Sequence, residues 1–145
     1  MSADNIAALT TSQVAALSTT QLETLSTTQI VAMEVADLAA LTTRQMQALS
    51  TTQLDVMSSS QIAGFGTAQI AALTSTQLSA LGSGLTEGLS TSQLAGMGTS
   101  QIASLTSSQV AAWETSDIAV LSTSQVRALS AEALSSLSSS VVQAL

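Results

Sequence analysis

The chain repeats a pattern of eight residues from end to end. Eighteen such octads account for 144 of the 145 residues, and Leu145 opens a nineteenth. The consensus octad is Leu-(Ser/Thr)-(Ser/Thr)-x-Gln-(Ile/Val/Leu)-x-Ala. The first position is apolar in every octad, the sixth is apolar in all but one, and the fifth is Gln in twelve. So short and strict a period limits the chain to architectures that stack one small unit many times.

Most octads contain the residues that start a helix: the second position is Ser or Thr in thirteen of the eighteen. In the octad that begins at Leu9, Thr10 can act as the N-cap, and Gln13 can return a hydrogen bond to the backbone N–H of Thr10. Leu9 and Val14 flank this capping box and form the apolar pair of a hydrophobic staple. The same caps recur as Ser18 with Gln21, Ser50 with Gln53, and Ser122 with Gln125. A helix that restarts every eight residues has only about one and a half turns.

We therefore predict an all-α solenoid with one very short helix per octad. Such a helix is unstable alone because nucleation is unfavourable, so the octads must pack on one another. We expect positions one, six and eight to line a continuous core. The predicted core residues at positions one and six include Leu9, Val14, Leu17, Leu22, Leu25, Ile30, Leu41, Leu49, Leu54, Leu73 and Leu121. Stability then depends on many octads in series, and three or four octads alone should not fold.

A β-solenoid is the main alternative, because Thr, Ser, Val and Ile with rows of Gln suit stacked strands. Against it, positions one and six have opposite parity and would face opposite sides of a strand. The abundant Ala also favours helix over strand. A single long helix is disfavoured because its apolar residues would recur every four residues on average, whereas supercoils require about 3.5 to 3.7. Disorder is disfavoured by the strict apolar register.

The sequence predicts a single repeat domain over residues 1–145, with two regions that depart from the consensus. Repeats are weaker and rich in Gly over 64–98, where Leu85 and Thr86 occupy the Gln and apolar positions of their octad. These Gly residues fit a hinge or a close approach between units, but repeat drift is the simpler interpretation. The terminal repeats over 129–145 also degenerate, which is typical of the end of an array.

Two octads carry paired carboxylates in place of the cap and the Gln. They contain Glu34 with Asp37 and Glu114 with Asp117, and they lie ten octads apart. A calcium site or acid–base chemistry would use such residues, but Ca²⁺ prefers six to eight oxygen ligands and only two carboxylates are local. Acidic residues also suit the first turn of a helix. We therefore expect a structural role and no metal site.

Composition excludes several functions. The chain has nine acidic residues, two arginines (Arg44 and Arg127), no Lys, His or Cys, and a net charge of −7. Disulfides and Cys/His zinc sites cannot form, and no Ser has a His or Lys to activate it. We predict no catalytic residue, no cofactor and no enzymatic activity. Two arginines cannot form a phosphate-binding patch, so nucleic acid is not an expected partner.

Membrane insertion is not expected, although the mean hydropathy is +0.45. Uninterrupted apolar runs, such as 110–113, are far shorter than the roughly 20 residues of a membrane-spanning helix. The first ten residues, MSADNIAALT, contain neither a basic region nor a long apolar stretch, so they do not read as a secretory signal peptide.

The run LTTSQVAALSTTQL at 9–22, with its copies, resembles the tandem L-[ST]-[ST]-x-Q-[IV]-x-A-L arrays of large bacterial surface and secreted adhesin-like proteins. The resemblance covers the whole chain. It implies a structural role outside a bacterium or on its surface. The glycine-rich calcium-binding nonapeptides common in such secreted proteins are absent from this sequence.

Two functions are then expected from the residues. The first is a structural or adhesive module, a rod or filament subunit that self-associates end to end, because an open solenoid end exposes core residues and few charges oppose contact. The second is a binding surface in which rows of Ser and Thr hydroxyls recognise ice or a surface polysaccharide. Free interchange of Ser and Thr argues against the evenly spaced Thr that ice binding requires.

Overall fold

A computed structural model describes residues 2–82 and 88–143. These residues form seventeen α-helices of four to six residues and no β-strand. The helices are α1 (Ala3–Ala7), α2 (Thr11–Ala15), α3 (Thr19–Glu23), α4 (Thr27–Val31), α5 (Val35–Ala39), α6 (Thr43–Ala48), α7 (Thr51–Asp55), α8 (Ser59–Ala63), α9 (Thr67–Ala72), α10 (Ser75–Ala80), α11 (Thr91–Ala95), α12 (Thr99–Ala103), α13 (Ser107–Ala111), α14 (Thr115–Ala119), α15 (Thr123–Ala128), α16 (Ala131–Ser136) and α17 (Ser139–Val142). The prediction of an all-α solenoid of very short helices is confirmed, and within these residues the β-solenoid alternative is wrong.

Every described helix begins at the third position of its octad, because the second position is its N-cap. Ser50 shows the geometry: its backbone is extended (φ −71°, ψ 157°) and its Oγ accepts from the N–H of Gln53 at 3.2 Å. In return, the Oε1 of Gln53 accepts from the N–H of Ser50 at 2.8 Å. The same reciprocal bonds join Thr10 with Gln13, Ser18 with Gln21, and Ser122 with Gln125. Each box satisfies N–H groups that a helix leaves unpaired at its start.

The corners between helices are built from ordinary backbone conformations. At the end of α2, Ala16 remains right-handed helical (φ −85°, ψ −9°), and the N–H of Leu17 donates to the carbonyl oxygen of Val14 at 3.1 Å. The N-cap that follows, Ser18, is extended (φ −70°, ψ 157°). No described residue has a positive φ. The corners therefore do not depend on the conformational freedom of glycine.

The helices wind into a coil in which each described helix packs against a helix that lies three octads away along the chain, before or after it. Examples are the contacts of α3 with α6, α7 with α10, and α13 with α16. Helices that are neighbours in sequence therefore lie side by side along one turn, and every third helix stacks on the turn before it. This one-dimensional stacking of identical units is the architecture of a solenoid.

Positions one and six form the core, which runs along the whole of the described coil. Among the predicted core residues, seven are buried: Val14, Leu22, Ile30, Leu41, Leu49, Leu54 and Leu73. The other four are partly buried and pack against the core: Leu9, Leu17, Leu25 and Leu121. Leu9 and Leu17 lie in the first described turn, residues 2–24, and Leu25 directly follows it; within the described residues this turn has a neighbouring turn on one side only.

Position eight lies at the seam between turns and not in the core, contrary to the expectation from sequence. Ala40, Ala48 and Ala72 occupy this position and are each half-buried. In the inner turns the fifth position takes the buried place instead, since the Gln side chains there are almost fully enclosed. None of the described helices has the length and apolar character needed to cross a membrane.

Candidate functional site: the glutamine ladder and the end turns

A buried glutamine connects each inner turn of the coil with the turn before it. The Nε2 of Gln53 donates to the carbonyl oxygens of Leu22 at 2.9 Å and Leu25 at 2.8 Å, which lie 31 and 28 residues earlier. The same two spacings recur at every member of a set that we call the glutamine ladder. The ladder consists of Gln45, Gln53, Gln61, Gln69, Gln77, Gln93, Gln101, Gln109 and Gln125.

Each ladder residue satisfies two helix ends at once. Its Oε1 accepts from the N-cap of its own helix, as Gln53 does from Ser50. Its Nε2 donates to carbonyl oxygens at the end of a helix in the preceding turn, where the last carbonyls lack partners within the helix. Among the described residues no completely enclosed side-chain nitrogen or oxygen atom lacks a hydrogen bond. The ladder therefore lets a polar row pass through a tightly packed interior without an unpaired group.

Sequence reasoning assigned these glutamines to capping alone and missed the bond between turns. The signal that could have found it is the absence of Glu from the fifth position of all eighteen octads. Glu caps a helix as well as Gln does in a capping box, so capping does not explain the choice. An amide, unlike a carboxylate, also supplies N–H donors and brings no charge into the core.

The four predicted caps divide into two kinds according to their place in the coil. Gln53 and Gln125 belong to the ladder and are buried. Gln13 and Gln21 lie in the first turn and are exposed. Both accept from their N-caps, at 2.8 Å from Thr10 and at 2.8 Å from Ser18, but no carbonyl of the described residues accepts from their Nε2 atoms.

The first turn also presents the open end of the core. A depression of about 640 Å³ lies there, and its lining includes Ile6, Leu9, Leu17 and Leu25. The three leucines occupy the first position of their octads. Residues at the first position in inner turns, such as Leu49, are only 3% exposed. The first turn thus combines free amide donors with apolar side chains that are covered elsewhere in the coil.

The two acidic octads lie far apart in the chain, and neither forms a site with the other. Asp117 accepts from the N–H of Glu114 through Oδ2 at 2.9 Å, as Gln does in other octads. Asp37 is 3% exposed and occupies the ladder position, but it is one methylene shorter than Gln and makes no side-chain hydrogen bond to the described residues. No cluster of three or more carboxylates in the described part of the chain could hold a metal ion.

Two of the glycines allow close contact between turns. A Cβ placed on Gly64 would lie 2.3 Å from the Cγ1 of Val35, and one on Gly88 would lie 2.6 Å from the carbonyl oxygen of Ser59. Both contacts join position eight of one octad to position three of the third octad before it. Close approach therefore explains these two residues, whereas Leu85 and Thr86 lie outside the described residues.

The single Trp of the chain packs in the core. Trp113 is 5% exposed, in the same position as the leucines that begin most octads. Both arginines, Arg44 and Arg127, are exposed. Together the described residues define a class of protein: a solenoid of single-octad helices whose turns are joined by buried glutamine.

The chain belongs to the ALTTAQ repeat family, whose model matches five segments in tandem: 1–33, 30–67, 56–83, 87–113 and 110–145. These segments leave only a few residues unmatched, so the family accounts for the array as a whole. Neither a curated protein nor a solved structure matches the chain.

Proposed function

We propose that the chain is a structural repeat module, a rod that self-associates end to end outside a bacterium or on its surface. The observation that carries the proposal is the contrast between the glutamine ladder and the first turn. Inner turns hold their neighbours through ladder bonds and a buried apolar core, whereas the first turn presents unused amides and a depression lined by leucines.

Low charge supports the same function. Only eleven side chains of the 145 residues are ionisable Asp, Glu or Arg, and the net charge is −7. Few charged side chains are therefore available to oppose a contact between copies, and the repulsion that arises from the net charge is screened at physiological salt. The proposed location rests on the resemblance of the octads to bacterial surface arrays. An adhesive role would require the assembled rod to bind a further partner. We expect no enzymatic activity, because the chain lacks His, Cys and Lys.

Sedimentation velocity over a range of protein concentrations tests this function, together with negative-stain electron microscopy. We expect rods whose length grows with concentration while their width stays constant. Monomers alone at high concentration would rule out self-association. A mixture of irregular aggregates would also contradict the proposal, because it predicts growth along a single axis.

A second candidate function is recognition of polysaccharide by the hydroxyl-rich surface. It is favoured by the exposed Ser and Thr residues at position four, which recur through the coil as Ser12, Thr20, Thr28, Thr52, Ser60, Thr76, Ser92, Ser100, Ser108, Ser116 and Ser124. Regularly placed hydroxyls can donate to and accept from sugar hydroxyls. A glycan array probed with the intact chain tests this function, and a thermal-hysteresis assay tests the ice-binding version. Absence of signal in both would remove the candidate.

A further inference from the structure

We propose that the partner of the first turn is the last turn of a second copy, seated so that the coil continues across the junction in its own register. This inference rests on the proposed self-association and specifies which atoms of the two copies are in contact. The junction would be one more interface between turns, of the kind already present throughout the described coil.

The register follows from the two ladder spacings. Eighteen octads make 144 residues, so a second copy that continues the coil has its residues 144 positions further on. In the continuous coil, the residues 31 and 28 positions before Gln13 of the second copy are Val126 and Leu129 of the first copy. The Nε2 of that Gln13 therefore faces their two carbonyl oxygens. The same two spacings pair Gln21 with Leu134 and Leu137.

The acceptors that this register selects are available. The carbonyl oxygens of Val126 and Leu134 accept from the backbone N–H groups of Leu129 and Leu137, as they do in inner turns, but no side-chain amide of the described residues reaches them. A carbonyl oxygen has two lone pairs, so a second bond can form. In inner turns the matching oxygen accepts both bonds, as Leu22 does from Leu25 and Gln53.

Apolar contact adds to these bonds. The depression at the first turn is lined by Leu9, Leu17 and Leu25, and at the other end Leu121 and Leu134 are only partly buried. All five pack against the ends of the same core. A junction in register would cover both sets, and burial of apolar surface is the main favourable contribution to such contacts.

The junction has a direction. The first turn offers amide donors and the last turn offers carbonyl acceptors, so two first turns that meet would place donor against donor. Contacts between unlike surfaces do not form a two-fold dimer, and because successive copies would share one coil axis they continue into a filament. The inferred assembly is therefore polar, with every copy pointing the same way.

A disulfide between copies can measure the register, because the chain contains no Cys. Position eight of one octad meets position three of the third octad before it: a Cβ on Gly96 would lie 3.5 Å from the Cβ of Thr67. This separation is within the range of disulfides, about 3.5–4.5 Å. The same relation across the junction pairs Ala16 of one copy with Ala131 of the next, and both are exposed in the single chain.

The experiment is oxidation of the full chain with the substitutions Ala16→Cys and Ala131→Cys, analysed on a non-reducing gel. We expect a ladder of covalent multimers, while each single substitution gives dimers at most. The pair Thr67→Cys with Gly96→Cys is the matched control and should form a disulfide within one chain. The pair Ala16→Cys with Thr123→Cys is one octad out of register and should form few multimers.

The outcomes separate this inference from the proposed function. If the chain self-assembles but covalent multimers form from the pair with Thr123→Cys, the register is wrong and the rod still stands. The same conclusion follows if the control disulfide forms but the pair with Ala131→Cys gives no multimers. No self-assembly at all would overturn both. As a second measurement, Gln13→Glu with Gln21→Glu keeps the capping acceptors and removes the donors. We expect the concentration for assembly to rise about tenfold or more, also at high salt, where charge repulsion is screened.

Discussion

The side chain of Gln53 donates from Nε2 to the carbonyl oxygen of Leu22, 31 residues earlier, at 2.9 Å, while its Oε1 accepts from Ser50 at 2.8 Å. One amide thus begins a helix and attaches it to the preceding turn. The helices have only four to six residues and could not persist alone. Local capping and packing between turns are therefore coupled through the same side chain.

Replacement of Gln53 by Glu separates the two roles. The carboxylate still accepts from Ser50, but it faces two carbonyl oxygens without a proton to donate. We expect the free energy of unfolding to fall by about 2 kcal/mol or more, since a buried polar group loses its partners and gains charge. Urea unfolding followed by far-UV circular dichroism measures the change.

The matched control is Gln21→Glu. Gln21 makes the same capping box with Ser18 but is exposed and has no ladder bond. A change within about 0.5 kcal/mol is expected there, as for other surface substitutions. Equal losses at the two positions would show that capping, and not the bond between turns, determines the effect.

The pair Gly64 and Val35 provides a test of close packing at the seam. Gly64→Ala places a Cβ 2.3 Å from the Cγ1 of Val35, so either the Val35 side chain must rotate or one of the turns must shift. We expect a loss of about 1–3 kcal/mol in unfolding free energy, the usual effect of overpacking. Val35→Ala in the same chain should restore much of the loss. A double-mutant cycle measures this coupling, and independent effects of the two substitutions would contradict the contact.

Gly66 is expected to respond in the opposite direction. It is an N-cap with an extended backbone (φ −71°, ψ 158°), and the nearest atom to an added Cβ is the Oε1 of Gln69 at 3.6 Å. Gly66→Ser supplies a capping hydroxyl and restricts the unfolded chain, so stability should rise by about 0.5–1 kcal/mol. Thermal unfolding of G66S beside Gly66→Ala, which lacks the hydroxyl, measures the part due to the cap. A lower stability of G66S than of the parent chain would refute this account of the site.

The short-helix fold could be predicted from sequence because its determinants lie within one octad. Thr10, Gln13, Leu9 and Val14 follow one another closely along the chain, and each has a known role at a helix start. The spacing between turns could not be predicted in this way. It depends on how the corners, each made of αR and extended residues, add up over three octads, and small changes in each corner alter the sum.

The burial of Gln is the feature of the site that sequence analysis left out. Gln is usually exposed, and the capping role that the sequence predicts for the fifth position does not require burial. The structure encloses Gln53 to 2% exposure because the end of a helix in the preceding turn covers the N-terminus of each inner helix. Gln13 and Gln21, at the first turn, retain the exposure that the residue type suggests.

Asp37 marks a ladder position that can be repaired. Its side chain is buried, but it does not reach a partner among the described residues, and the ladder spacings place the carbonyl oxygens of Ile6 and Leu9 opposite it. Asp37→Gln should form the capping bond and the bond between turns, with a gain of about 1–3 kcal/mol in unfolding free energy. Asp37→Asn removes the charge but remains too short, so it should recover only part of the gain. If the two substitutions stabilise equally, the ladder bond contributes nothing there.

Chain length provides the last prediction, because every ladder bond joins residues more than three octads apart. The fragment 41–64 contains three complete octads with their capping boxes but cannot contain a ladder bond. The fragment 1–80 contains ten octads and both partners of five ladder residues: Gln45, Gln53, Gln61, Gln69 and Gln77. We expect the helical minima of far-UV circular dichroism from 1–80 and a disordered spectrum from 41–64, since capping alone cannot offset the unfavourable nucleation of each helix. Helical minima from 41–64 would mean that the octad folds without its neighbours, and the ladder would then be a result of folding and not one of its causes.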